Sequence, residues 1–85
     1  MKLIPSIDEL KLAATNENGD YSEFFIVLAG GLARSSKRIL YDPSENTFSI
    51  VNEIDDSYQD DLTEEQLKSE TNIITAIETN NLYQY

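Results

Sequence analysis

The apolar positions of this chain switch between helical and strand spacing, and the switches divide it into segments. Ile7, Leu10, Lys11 and Ala14 fall on one face at i, i+3, i+4 and i+7. Ser6 and Glu9 have the spacing of a capping box, and Asn16-Glu17-Asn18-Gly19 stops the run, so a helix is predicted over about residues 6–15. Residues 21–29 read YSEFFIVLA. Phe24, Ile26 and Leu28 take one side of a strand, and Phe25, Val27 and Ala29 the other. Both sides are apolar, which predicts a central strand buried on two faces. Gly30-Gly31 permits a tight reversal. A second strand follows from about Ser35 to Tyr41. Asp42-Pro43-Ser44-Glu45-Asn46 is a turn, because proline presets φ and Asp42 can bond forward to the backbone. Thr47-Phe48-Ser49-Ile50-Val51 alternates as a third strand. Residues 52–61 read as an acidic loop. Thr63 and Gln66 form a second capping box, with Leu62 and Leu67 as its hydrophobic staple. A short helix runs from there to about Ser69. Asn72 caps another through Ile73, Ile74, Ala76 and Ile77, and Asn80-Asn81 ends it.

The order α-β-β-β-α-α predicts an α+β fold: a three-stranded antiparallel β-meander, an N-terminal helix and two short C-terminal helices on one face. Eighty-five residues, 40% hydrophobic and 26% charged, suit a single small domain over 1–85. Residues 1–5 and 82–85 are expected to fray. The predicted core takes Phe24, Ile26, Leu28, Ile39, Tyr41, Phe48 and Ile50 from the sheet, and Ile7, Leu10, Leu67, Ile73 and Ile77 from the helices. Ile26→Ala is expected to cost ~2–5 kcal/mol and to unfold the domain.

Charge changes the picture more than composition does. Lys2, Lys11, Arg34, Lys37 and Arg38 balance Asp8, Glu9, Glu17, Asp20 and Glu23, so the net charge of −10 resides in residues 39–85, where Lys68 is the single base. Such a half repels nucleic-acid phosphates and anionic bilayers, so neither is an expected partner. The chain has no cysteine and no histidine. Disulfides, thiolate chemistry, and the commonest general base and zinc ligand are thereby excluded. The apolar start of the chain ends at Pro5 and Asp8, too early for a signal peptide, and no stretch approaches a membrane span. Cytoplasmic residence is the expectation.

Three clusters carry candidate chemistry. The first is acidic: Asp55, Asp56, Asp60, Asp61, Glu64 and Glu65. Carboxylates suit calcium or magnesium, but these lack the glycine and the closing glutamate of an EF-hand loop, and no metal site is assigned. Spaced about 6.6 Å apart on a strand face or about 5–6 Å on a helix, they can instead imitate rows of phosphates and occupy a basic groove. The plain alternative is a solvated loop with acids at a helix N-terminus. The second cluster is basic: Arg34, Lys37 and Arg38 beside Gly30, Gly31, Ser35 and Ser36. It could take an anionic or phosphorylated ligand or an acidic partner, although the phosphate-loop order is absent. The plain alternative is a hairpin that complements the acids and blunts a strand edge. The third is aromatic: Tyr21, Tyr41, Tyr58, Tyr83 and Tyr85, which either present an amphipathic contact surface or cover the rim of the core. No nucleophile–base pair is evident, so no catalytic residue, enzyme activity or cofactor is assigned.

Four segments read together: Leu28-Ala29-Gly30-Gly31-Leu32, Ser35-Ser36-Lys37-Arg38-Ile39, Asn52-Glu53-Ile54-Asp55-Asp56, and Leu62-Thr63-Glu64-Glu65-Gln66-Leu67 followed by Asn72-Ile73. Their combination, covering about residues 20–82, resembles small acidic proteins of bacteriophages, prophages and mobile elements of Gram-positive bacteria. The resemblance carries no catalytic residues. It implies a small accessory protein that binds a host or phage macromolecule, such as a nucleic-acid enzyme that it inhibits. The acidic half makes a protein with a basic surface the expected partner, and a monomer or weak homodimer in the host cytoplasm is the expected state.

Overall fold

The structure, a computed structural model, describes residues 1–29, 32–53, 55–71 and 73–85; the side chains of residues 29, 32–35 and 68–71 also lie outside the description. The elements run β1 (Lys2–Leu3), α1 (Ile7–Ala14), β2 (Phe24–Ala29), β3 (Leu32–Asp42), β4 (Thr47–Asn52), β5 (Tyr58–Leu62), α2 (Glu64–Thr71), α3 (Ile73–Glu78) and β6 (Leu82–Gln84). The α+β class and the antiparallel sheet stand. The sheet, however, has six strands in the order β1-β6-β2-β3-β4-β5, in place of a three-stranded meander. The reversal expected at Gly30-Gly31 lies outside the described residues.

The three added strands come from segments without strand-like patterning. β5 arises in the stretch read as acidic loop. Its sequence, YQDDL, does not alternate apolar with polar, and its partner β4 supplies the ladder that its own residues do not announce. β1 and β6 are the two ends expected to fray. They pair with each other through Lys2↔Gln84 and Leu3↔Tyr83, and β6 also pairs with β2. Leu82 is fully buried, as is Ile4, whose amide donates to the Leu82 carbonyl at 2.9 Å. Burying these two side chains fastens both ends to the sheet.

Local chemistry explains the helix limits. The Ser6 hydroxyl accepts from the Glu9 amide at 3.2 Å and starts α1. At the start of α2 the capping box is reciprocal: Thr63 Oγ1 accepts from the Gln66 amide at 3.3 Å, and Gln66 Oε1 accepts from the Thr63 amide at 2.8 Å. α3 ends on Asn80 at φ 58°, with the Asn81 amide donating to Ala76 O at 2.7 Å and the Asn80 amide to Ile77 O at 3.1 Å. That is a Schellman cap with asparagine in the left-handed position. It turns the chain directly into β6.

All three helices pack on one face of the sheet. Beneath them lie Phe25 of β2, Ile39 and Tyr41 of β3, Phe48 and Ile50 of β4, Leu62 of β5 and Leu82 of β6. Leu10 and Ala14 of α1, Leu67 of α2, and Ile73, Ala76 and Ile77 of α3 close the core from above, with Ile7 packed against its edge. The parity expected for β2 is therefore corrected. Phe25 and Val27 face the helices, whereas Phe24, Ile26 and Leu28 face the other way. Both sets are apolar, so the pattern of β2 alone could not choose between them. Ile26 is 7% exposed, but it lies outside the cluster under the helices.

Candidate acidic edge and the helix-free sheet face

The acidic candidates lie along one margin of the molecule. Asp55 and Asp56 occupy the β4–β5 turn, Asp60 and Asp61 lie on β5, and Glu64 and Glu65 form the first turn of α2. β5 is an edge strand of the sheet, and all six acids are exposed. A five-residue strand carries this margin about 17 Å from one end to the other.

The backbone of the margin is held by the acids themselves. Asp55 accepts from the Ser57 amide at 2.9 Å, and the Asp56 amide donates to Asn52 O at 2.8 Å. Asp56 at φ 57° and Asp61 at φ 54° both take the left-handed conformation, which Asp and Asn tolerate better than most residues. Asp61 lies beside a register shift in the β4–β5 ladder. The carboxylate of Asp60 accepts from the Ser49 hydroxyl and from the Asp61 amide. Hydrogen bonds from Ser57 hold the Asp55 carboxyl below its ordinary value, and those from Ser49 and then Asp61 do the same for Asp60. Because these bonds favour the ionised form, the stability they add is present above the ordinary carboxylate pKa. It is lost as pH falls through the lowered one.

These carboxylates are strung out and do not converge. Among the described residues, no group of three or more acids is placed to hold a metal ion. Glu64 pairs with Lys11 at 2.8 Å, which ties α1 to the start of α2. Lys11 also stands 5.4 Å over the Tyr41 ring. The hydrogen bond to Glu64 is the main reason its ammonium titrates above the ordinary lysine value.

Strand geometry separates the basic candidates. Lys37 and Arg38 are adjacent on β3 and so point to opposite faces. Lys37 lies opposite Phe25 on the helix side and is 8% exposed; burial lowers its pKa, with the field of Asp55 acting against that shift. Arg38 lies on the other face, where its Nε meets Glu53 Oε1 at 2.5 Å. The β2–β3 ladder shifts register between Ser35 and Ala33, which places Arg34 at an irregularity; its side chain lies outside the described residues. Lys37 and Arg38 therefore form no common anion site. A shallow cleft of about 220 Å³ between the α1–β2 loop and the β3–β4 turn, lined by Asn16, Glu17, Leu40, Tyr41 and Asp42 among others, contains none of the acidic or basic candidates; Tyr41 is its one member from the aromatic set.

The sheet face away from the helices reveals a feature that the sequence left scattered. Registers align Phe24 with Arg38, Arg38 with Val51, and Val51 with Tyr58. Beyond Phe24, Tyr85 stacks on its ring at a centroid distance of 4.8 Å and an interplanar angle of 14°. The Arg38 guanidinium lies 5.3 Å from the Phe24 centroid. At the far end Tyr58 meets Tyr21 edge-on at 6.2 Å. Burial, helped by the Tyr58 hydroxyl, raises the Tyr21 phenol above its ordinary value. The result is one row, Tyr85–Phe24–Arg38–Val51–Tyr58–Tyr21, that crosses the sheet and ends at the acidic margin. Tyrosine abundance was the only hint in the sequence.

The fold thus defines a class: a six-stranded antiparallel sheet with one helical layer and one bare face. No family model, curated protein or solved structure matches the chain. No helix among the described residues is long and apolar enough to cross a membrane.

Proposed function

We propose that this protein is a non-enzymatic interaction module whose acidic margin occupies a basic protein surface. The observation that carries the reading is the placement of Asp55, Asp56, Asp60, Asp61, Glu64 and Glu65 along one exposed edge. An extended row of carboxylates offers charge complementarity to a groove lined by lysine and arginine. It also resembles the phosphate row of a nucleic-acid strand in the sign of its charge. A nucleic-acid enzyme, inhibited by mimicry of its substrate, is the partner class that fits best. The resemblance to small phage and mobile-element proteins supports the same class.

The test removes charge without removing structure. In the variant with Asn at positions 55, 56, 60 and 61, each amide oxygen can still accept the hydrogen bonds that its carboxylate accepted. Asn also tolerates the left-handed backbone at 56 and 61. The tagged protein is used to capture partners from host and infected-cell lysates, with elution by a salt gradient. The native protein is expected to retain one dominant nucleic-acid enzyme that leaves at moderate salt, and the variant to lose it while melting normally. Retention by the variant would show that the acidic margin is not the contact.

A further inference from the structure

The bare face of the sheet presents several large apolar side chains to solvent. Among the described residues the exposed large hydrophobics include Leu3 at 38%, Tyr58 at 59% and Tyr85 at 68%, and all three lie on this face. Phe24, Leu28, Leu40, Val51 and Tyr83 are half-buried beside them. Contiguous apolar surface of this kind marks a contact site more often than isolated exposed residues do.

Charge decides what can cover it. The described cation of the row, Arg38, is already paired with Glu53. Asp60 is on the same face, bonded to Ser49, and Asp55, Asp56 and Asp61 border the Tyr58 end. A second copy laid face to face would press together two chains of net charge −10 each. Aromatic rows can stack nucleobases, but the accompanying phosphates would meet the acids. Anionic lipid is opposed for the same reason. A cationic polypeptide meets no such barrier. Its apolar side chains can cover Val51 and Phe24, and its guanidinium groups can stack on exposed tyrosines while facing the acids.

We infer that the helix-free face is a docking strip for a cationic segment of a partner protein, which lays its apolar side on the Tyr85–Phe24–Val51–Tyr58 row and its basic side against the acidic margin. The inference rests on the proposed function and extends the contact from the edge onto the face.

The probe is an octapeptide of alternating leucine and arginine, titrated into the isotopically labelled full chain and followed by amide chemical shifts. Shifts are expected at residues 24, 38, 51, 58 and 85 as well as along 55–65. Replacing both exposed tyrosines, Tyr58→Ser with Tyr85→Ser, is expected to weaken binding about tenfold, the loss of two cation–π or apolar contacts, with the fold intact. Shifts confined to residues 55–65 would overturn the docking strip and leave the proposed function standing. No shift anywhere would remove both. A dimer in sedimentation equilibrium that dissociates in the double variant would assign the face to a second copy and overturn the occupant inferred here.

Discussion

Single residues decide whether the acidic margin holds its shape. Asn46, Asp56, Asp61 and Asn80 all adopt positive φ, and none is glycine. Each has a short polar side chain that can bond locally, which lowers the cost of the left-handed conformation. At Asp61, therefore, backbone and charge can be separated. Asp61→Val is expected to cost about 1–2 kcal/mol, because a β-branched side chain crowds the carbonyl in that conformation. Asp61→Asn is expected to stay within about 0.5 kcal/mol of the native protein. Urea denaturation of the two variants measures the difference. Equal losses would mean that Asp61 acts through its charge and not through its backbone.

Elements were legible where their ends carried explicit chemistry. Ser6, Thr63 and Gln66 announce helix starts, and the structure uses each of them. α2 depends on its cap more than α1 does. Its surface is strongly polar, and Leu67 is its fully buried anchor among the described side chains. Thr63→Ala is therefore expected to destabilise the protein by ~1 kcal/mol, and Thr63→Ser to recover most of that, as read by thermal melting. The Asp42–Asn46 turn was equally plain. Asp42 accepts from the Ser44 amide at 2.9 Å and hydroxyl at 2.7 Å, and the Tyr41 hydroxyl donates to Asn46 at 2.6 Å. β1, β5 and β6 had no such signals. Strand formation there depends on a neighbouring ladder remote in sequence, and two- to five-residue segments carry too little periodicity to show it.

Across the whole molecule, the two faces of β2 have different worth. Phe25 is fully buried between the sheet and the helices. Phe25→Ala is expected to cost about 3–5 kcal/mol, a large part of the ~5–15 kcal/mol that holds a domain together. Ile26→Ala, on the bare face, is expected to cost about 2 kcal/mol, since neighbouring side chains and solvent can fill in where no helix lies overhead. This places Ile26→Ala at the lower end of the ~2–5 kcal/mol expected for it from the sequence. Calorimetry of the two variants checks the order: equal drops in Tm would mean that the bare face is as closely packed as the core.

The sequence by itself determined the class of fold, three helices, the middle strands, most of the core and the excess of acids in the second half. Those features follow from local periodicity, capping and composition, each readable within a few residues. Only the tertiary structure decided which side of β2 meets the helices, that both ends join the sheet, and that the acidic stretch becomes an edge strand. It also decided that Lys37 and Arg38 part company, and that Tyr21, Phe24, Val51, Tyr58 and Tyr85 form one row. Each of these depends on which strands become neighbours and in what register. That is set by the joint burial of side chains far apart in the chain, and no local pattern encodes it.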